Sequence, residues 1–499
     1  MRCLSILAII QAASALRTPP SSHHPSSRRS APARAMTNDN NKEAAGPPDL
    51  ARRTSSIAYD GNDAYSRGYY SAVDMWRERI ALPRSSSTSG RRATTALASA
   101  ASSSVGRDDC DCDRDRDEGE DPERPMYTFG VLTDIQYAPI PDGRSYLGNL
   151  RYYRHAREAA GHAARHFQEE GVQCVLNLGD IIDGKCADVE RWGGAVTEGG
   201  GEEGDERRGG GDKKKHGGRV GAGHDAIDDV LEALSQYRGR ILHTYGNHEL
   251  YNLSRRDLAD KLSIPFTVEP TNDLVGYYDH LLHEPRRRRR RRRDDDDLWN
   301  LRFVIIDSFD ICLLDRCANT SPKRRAAHEI LKENNPNYPE QENSPEGLVG
   351  LSRRFVAFNG GVDAPQLEWL ERSMETARMN GERVIICSHQ PIHPDSSFPT
   401  CLVWNYDEIL AVVRKYSDVV IASFSGHAHK GGYVRDEVSG VHFRTFEAML
   451  ESPSPIRTYA IVDLFSDSLV VRGSGDCVSD VYDLDHLSIN KEIVVGNNL

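Results

Sequence analysis

The sequence lacks the long apolar runs, the paired cysteines and the excess positive charge that define several common classes of protein. No run reaches the roughly 18 apolar residues that a membrane-spanning helix needs. None of the 10 cysteines has Cys-x-x-Cys spacing, so neither a zinc ribbon nor a disulfide framework is indicated. The formal net charge of −12 argues against a nucleic-acid-binding protein, which is usually basic.

Hydrophobic residues are also scarce, at 38% of 499 residues, so much of the chain is expected to lie outside a packed core. Residues 1–36 have signal-peptide composition followed by transit-peptide composition. This order is typical of the two-part plastid presequences of algae with complex plastids. A simply disordered leader on a cytoplasmic protein is the alternative. Residues 37–125 are predicted to be a disordered linker, because they lack hydrophobic periodicity.

One folded domain is predicted over residues 126–480, where apolar runs alternate with helical patterns. This alternation indicates an α/β fold. Two low-complexity insertions interrupt the domain, one rich in Gly, Glu and Lys at 194–222 and one of eight arginines and four aspartates at 286–297. An arginine run can bind nucleic acid, but the adjacent aspartates partly cancel its charge, so we interpret it as a loop expansion. Residues 481–499 are expected to form a C-terminal tail.

Five of the predicted strands end in polar residues of the kinds that bind metal ions. These residues are Asp134 with Gln136, Asp180, Asn247 with His248, His389, and His427 with His429. Ligands of open α/β sheets bind outside the carboxyl ends of the strands, so these side chains are expected to meet there. A single histidine after a strand is more often a structural residue, whereas five such strand ends in one chain indicate a site.

Chemically, the set suits a site for two divalent metal ions. One carboxylate can bridge both ions, and histidine and amide side chains can complete each ligand shell. Two ions held side by side can place an activated water in line with a phosphorus atom. Neither a Ser-His-Asp arrangement nor a phosphate-binding glycine loop competes, because "SGHAHKGG" lacks the spacing of such a loop.

The order and context of these motifs resemble the calcineurin-like metallophosphoesterase superfamily, whose signature is D-x-H, G-D, G-N-H-[DE], H and G-H-x-H. One position departs from it, because Gln136 stands where the signature has histidine. That departure, with "RYYRHA", "NLGDIIDG", "YGNHELYNLSR", "FNGGVDAPQLEWL" and "WNY", resembles the manganese-dependent ADP-ribose/CDP-alcohol diphosphatases. The resemblance covers residues 126–475 apart from the insertions, and implies one catalytic domain folded as a four-layer α-β-β-α sandwich.

The resemblance also implies a role for each matching residue. One metal ion would be bound by Asp134, Gln136, Asp180 and His429, and the other by Asp180, Asn247, His389 and His427. The catalytic residue would be His248, which would protonate or stabilise the leaving oxygen. An amide oxygen from Gln136 in place of an imidazole would favour Mn²⁺ over Zn²⁺ or iron. The alternative is that Gln136 is a turn residue beside a single metal ion.

Five further residues are candidates for substrate contact, although each also has a structural interpretation. They are Arg151, Arg154, Cys401, Trp404 and Tyr406. The arginines would contact phosphate or cap a helix. The aromatic residues would stack on a base or pack in the core.

By resemblance, the reaction is hydrolysis of the phosphoanhydride of ADP-ribose, CDP-choline or CDP-glycerol to a nucleoside monophosphate and a phosphorylated alcohol or sugar. A phosphomonoesterase or cyclic-nucleotide phosphodiesterase on the same scaffold is one alternative. A non-catalytic scaffold is another, although such proteins typically lose ligands. The partners would be small nucleotide diphosphates, and we expect a monomer that neither binds nucleic acid nor spans a membrane.

Overall fold

The computed structural model describes residues 124–145, 148–188, 222–270, 273–283, 299–314 and 321–487. The predicted leader, nearly all of the predicted linker and the Arg/Asp insertion lie outside the described residues. The Gly-rich insertion, except for residue 222, also lies outside them.

The described residues form sixteen strands and seven α-helices. The strands are β1 (Tyr127–Leu132), β2 (Gly143–Arg144), β3 (Leu150–Arg151), β4 (Cys174–Asn177), β5 (Arg240–His243), β6 (Thr267–Val268), β7 (Leu274–Val275), β8 (Tyr278–Leu282), β9 (Leu301–Ile305), β10 (Arg383–Cys387), β11 (Val420–Ser425), β12 (Lys430–Arg435), β13 (His442–Glu447), β14 (Tyr459–Leu464), β15 (Ser468–Ser474) and β16 (Asp480–Asp483). The helices are α1 (Tyr153–Glu169), α2 (Ala222–Leu234), α3 (Asn247–Asn252), α4 (Arg255–Leu262), α5 (Pro322–Asn334), α6 (Ala364–Met379) and α7 (Tyr406–Lys415).

Most of the strands belong to two six-stranded sheets. The first has the order β16-β15-β14-β1-β4-β5, and the second has the order β12-β13-β11-β10-β9-β8. Strands β1, β4 and β5 run parallel in the first sheet, as do β9, β10 and β11 in the second. Because parallel strands bring their carboxyl ends to one edge of a sheet, the residues that follow them lie close together.

Side chains alternate between the two faces of each sheet. One face packs against the other sheet, and the opposite face packs against helices. In β10, Ile385 and Cys387 face the first sheet, whereas Val384 and Ile386 face α6 and α7. On the outer side of the first sheet, Val175 packs in the cluster formed with α1 and α2. Full burial of such a side chain contributes about 1.5–3 kcal/mol. The α/β fold and the four-layer α-β-β-α sandwich implied by the resemblance are therefore confirmed.

The helix boundaries follow local sequence signals. Helix α5 begins after Ser321, whose side chain accepts a hydrogen bond from the Arg324 N–H, and Pro322 occupies its first turn. Helix α1 begins at Tyr153, just after the short hairpin in which β3 pairs with β2. Within the described residues, no helix is both long and apolar enough to cross a lipid bilayer.

The packed part of the chain continues past residue 480, where a tail is predicted. Strand β16 crosses this boundary and pairs with β15. Tyr482, Leu484 and Leu487 are buried in the core between the two sheets. Tyr482 and Leu484 are two positions apart, which is the period of a strand buried on one face, and Leu487 follows beyond the strand.

Candidate metal centre

The polar residues predicted to bind metal converge at the carboxyl edges of the two sheets. Asp134 and Gln136 follow β1, Asp180 follows β4, Asn247 and His248 begin α3 after β5, His389 follows β10, and His427 and His429 follow β11. In the structure each of these strands ends at least two residues before its first ligand-type residue, so these side chains lie in turns or, for Asn247 and His248, at the start of α3, rather than in the sheets.

Asp180 is shared by two groups of potential ligand atoms. One group of potential ligand atoms comes from Asp134, Asp180 and His429, and a second from Asp180, His389 and His427. Within each group, the ligand atoms all lie within 4.8 Å of one another. Because Asp180 belongs to both groups, its carboxylate is placed to bridge two ions.

The turns that carry these side chains are strained. Among the described non-glycine residues, positive φ angles occur at five positions, and four of them are Asp134 (49°), Gln136 (43°), Asp180 (57°) and His427 (67°). Each costs on the order of 1–3 kcal/mol and persists only where the surroundings hold it. The backbone N–H groups of Asp134 and Gln136 donate to the carbonyls of Gly179 and Asp180, which fixes two of these turns side by side.

Two of the histidines are oriented by acceptors outside the centre. His389 turns Nε2 toward Asp180 Oδ2 (3.4 Å), while its Nδ1 lies 2.7 Å from the carbonyl oxygen of Leu178. His429 likewise turns Nε2 inward, and its Nδ1 lies 3.0 Å from Glu451 Oε1. Acceptors of this kind fix the ring and raise the basicity of the inner nitrogen. The sequence carries no signal for Glu451, which comes from a short 3₁₀-helix 22 residues further along the chain.

The charges within the centre shift several pKa values. Burial alone would raise the pKa of Asp180, but His389 and His248 hold it well below its usual value. Burial alone would lower the pKa of His389, but the charge and hydrogen bond of Asp180 raise it to about 9. Burial and the neighbouring charge of His389 lower the pKa of His427 to about 3. The carboxylate of Asp180 therefore stays ionised, and protons on histidine supply compensating charge.

Gln136 lies inside the centre, where hydrogen bonds fix its amide. Its Nε2 lies 2.9 Å from both Asp180 Oδ2 and His429 Nε2, and its Oε1 accepts from Arg151 Nη1 at 3.0 Å. The nitrogen therefore faces the centre. Only the oxygen can bind a metal ion, so ligation requires a half turn of the amide. That turn would release Arg151, which also pairs with Asp183 (3.1 Å).

His248 stands beside the centre, with its side chain 17% exposed. Its Nδ1 accepts from the Gly184 N–H at 2.8 Å, which leaves the hydrogen of the neutral ring on Nε2, and the same Nδ1 lies 3.3 Å from Asp183 Oδ2. Nε2 lies 3.9 Å from Asp180 Oδ2. The ring therefore presents a proton beside the centre without belonging to either group of ligand atoms.

A cavity of about 930 Å³ opens onto the centre. Its volume lies within the usual range for a small-molecule site. Of the predicted substrate residues, Arg151 and Cys401 line it. The other three do not: Arg154 is exposed on α1, Trp404 is buried with its Nε1 donating to a carbonyl, and Tyr406 begins α7.

The cavity has walls that sequence reasoning missed. Phe358 and Phe398 contribute aromatic surface, and residues 339–344 and 346 contribute a polar, acidic wall. The segment "PEQENSPE" carries no motif and reads as an ordinary loop. Its position at the cavity depends on the fold, so no local pattern could have indicated it.

Comparisons with known proteins identify clear relatives, although no protein-family model matches the chain. A protein from Oryza sativa subsp. japonica, named manganese-dependent ADP-ribose/CDP-alcohol diphosphatase, is 36% identical over 352 residues, which are 70% of this chain and 92% of that protein. A Homo sapiens protein of the same name is 31% identical over 368 residues, covering 71% and 92%. A solved structure of a dimetal phosphatase from Danio rerio is 30% identical, has a TM-score of 0.58, and covers 72% of this chain and 99% of its own.

Proposed function

The chain belongs to the family of manganese-dependent ADP-ribose/CDP-alcohol diphosphatases, and from this membership we propose that it hydrolyses the phosphoanhydride of such compounds. The products are a nucleoside monophosphate and a phosphorylated alcohol or sugar. The observation that carries the proposal is the position of Asp180, which belongs to two groups of ligand atoms beside a cavity of about 930 Å³.

The donor set fits two manganese ions. We propose that one ion is held by Asp134, Gln136, Asp180 and His429, and the other by Asp180, Asn247, His389 and His427. Carboxylate and amide oxygens outnumber imidazole nitrogens in the first set, which suits a hard ion such as Mn²⁺. In the second set, Asn247 Oδ1 lies 3.2 Å from His389 Nε2, which supports a shared ligand shell. When bound, the two ions would activate the attacking water and neutralise charge on the phosphoryl oxygens.

The side chains around the metals supply binding and proton transfer. His248 holds its Nε2 proton at the cavity, where it would donate to the leaving oxygen as general acid. Arg151 lines the same cavity and would contact a phosphate once Gln136 turns its oxygen inward. Cys401 also lines this cavity and would contact the nucleoside or alcohol. All of these groups come from one chain, so we propose that a monomer suffices for activity.

Metal binding should release protons, because two proposed ligands begin protonated. Burial lowers the pKa of His389 and of His429, but carboxylates raise both to about 9. Below that pH each ring must lose a proton before its Nε2 can bind a metal ion. We expect Mn²⁺ binding at pH 7 to release between one and two protons, and the apparent affinity to fall as the pH falls. Calorimetric titration in buffers of different ionisation enthalpy measures the number released, and zero release would contradict the assignment.

Replacing Gln136 with histidine should keep the site but widen its metal preference. Imidazole is a softer donor than an amide oxygen, so Zn²⁺ and iron should support more of the activity than they do in the wild type. The measurement is the initial rate with Mn²⁺, Zn²⁺ or Fe²⁺ in each protein. An unchanged metal profile would show that Gln136 does not set the preference.

The proposed function is tested by a hydrolysis screen on the full-length protein. ADP-ribose, CDP-choline, a cyclic nucleotide and a phosphomonoester would each be incubated with Mn²⁺, Mg²⁺ or Zn²⁺, and products would be separated by chromatography. We expect release of AMP and CMP from the two diphosphates with Mn²⁺. Turnover of the monoester or the cyclic nucleotide alone would instead support one of the two alternatives on the same scaffold.

A further inference from the structure

His427 makes a contact that its proposed role as a ligand does not explain. Its Nδ1 lies 3.1 Å from His389 Nε2, on the inner side of the centre. Its Nε2 points away from the centre and lies 2.9 Å from Oδ1 of Asn359. Asn359 is fully buried. It belongs to the "FNGG" segment, one of the segments that resemble the family, but the resemblance assigns no role to this residue.

The orientation of the Asn359 amide is set by two other bonds. Its Nδ2 donates to the carbonyl oxygens of Arg354 (2.9 Å) and Thr400 (2.8 Å). Because carbonyl oxygens only accept, the nitrogen of the amide must face them and the oxygen must face His427. The amide therefore cannot reverse without burying donors against donors and acceptors against acceptors.

This orientation selects one form of the His427 ring. Oδ1 can only accept, so the hydrogen on His427 must reside on Nε2, and the lone pair must reside on Nδ1. Nδ1 is the nitrogen that faces Asp180 and His389 in the second group of ligand atoms. The backbone φ of His427 is +67°, so a strained turn carries this ring.

We propose that Asn359 is a positioning residue that holds His427 in the tautomer and orientation required to ligate the second metal ion. This inference rests on the proposed function. Through the bond to Thr400, Asn359 also links that histidine to the cavity wall formed by Thr400 and Cys401. His429 has a carboxylate partner in Glu451, whereas His427 has a neutral amide.

Two substitutions separate positioning from simple packing. Asn359→Leu removes the acceptor for His427 and both donors. Asn359→Asp keeps the acceptor but turns a carboxylate toward two carbonyl oxygens, so both variants should lower the temperature of unfolding. We expect Asn359→Leu to weaken one of two Mn²⁺ sites by about 10–100-fold, the usual cost of losing a partner of a metal-ligating histidine. Asn359→Asp should retain both sites near wild-type affinity.

The Mn²⁺ affinities can be measured by the electron paramagnetic resonance signal of free Mn²⁺ during titration of chelator-treated full-length protein. Asn405→Leu is the matched control, because Asn405 also exchanges hydrogen bonds with a neighbouring backbone, at Val362, but touches no histidine. It should lose stability and keep both affinities. Equal loss of affinity in Asn359→Leu and Asn359→Asp, or no loss in either, would overturn the proposal.

A second readout is independent of metal and substrate. In protein labelled with ¹⁵N-histidine and treated with chelator, the His427 signals should show hydrogen on Nε2 in the wild type and a mixture of tautomers in Asn359→Leu. If the wild-type tautomer is instead hydrogen on Nδ1, the positioning role is wrong whatever the reaction proves to be. If the tautomer is as expected but no nucleotide diphosphate is hydrolysed, only the proposed function fails.

Discussion

Replacing Asp180 with alanine should abolish metal binding and turnover together, lowering kcat by at least about 10³-fold. Asp180 is the carboxylate shared by the two groups of ligand atoms, so its loss weakens both metal sites. Metal ions supply several kcal/mol of charge stabilisation in the transition state, and each 1.4 kcal/mol is a factor of ten in rate. Manganese content per chain and the initial rate on ADP-ribose are the two measurements.

The control for Asp180→Ala is a second buried carboxylate that belongs to neither group of ligand atoms. Asp436 is 2% exposed, and it accepts hydrogen bonds from Arg414 and from Ser439. Asp436→Ala should lower the temperature of unfolding but keep the full manganese content. If Asp180→Ala still binds two ions per chain, Asp180 is not the bridge.

Replacing His248 with alanine should lower kcat by about 10²–10⁴-fold, the usual contribution of a general acid, and leave manganese binding intact. The ring presents its Nε2 proton at the cavity and belongs to neither group of ligand atoms. Kinetics with ADP-ribose, together with the manganese content, would measure both effects.

The proton-transfer role of His248 can be separated from packing by the choice of leaving group. A p-nitrophenyl diester of a nucleotide releases a weakly basic phenolate that needs no proton, whereas the matching phenyl diester releases a more basic one, so His248→Ala should slow hydrolysis of the phenyl diester much more than that of the p-nitrophenyl diester. An equal loss on both substrates would contradict general-acid catalysis. His166→Ala is the control, because His166 lies on α1 and bonds Tyr459 outside the cavity.

The strand pattern and the family motifs were sufficient to predict the α/β architecture and which residues meet at the centre. Strand β10 illustrates the reason. It is buried on both faces, so it reads as a continuous apolar run, and the ligand-type residue His389 follows two residues after its end. The carboxyl ends of parallel strands share one edge, so several such ends imply one site.

The orientation of the side chains could not be predicted in the same way. Sequence spacing does not reveal that Asp134 and His427 have positive φ, or that Glu451 and Asn359 hold the outer nitrogens of two histidines. These contacts join residues that are 22 and 68 positions apart in the chain. They arise only when separate loops pack together.

Substrate-contacting residues were the hardest to predict, because the cavity wall is formed by segments that are far apart in the sequence. Arg151 and Cys401 line the cavity. Trp404 instead packs in a small hydrophobic cluster with Ala327 and Leu331 of α5. A buried tryptophan satisfies its Nε1 with a carbonyl as readily as with a ligand, and here Val356 supplies that carbonyl. Residue type alone could not distinguish the two environments.

The most direct test of a two-manganese hydrolase is to follow bound Mn²⁺ and AMP release from ADP-ribose in the same titration. Full-length protein treated with chelator would be the starting material, and bound Mn²⁺ would be counted by electron paramagnetic resonance. We expect activity to be absent without metal and to rise to its maximum as occupancy approaches two ions per chain. Full activity at one ion per chain, or AMP release that is independent of Mn²⁺, would contradict this expectation.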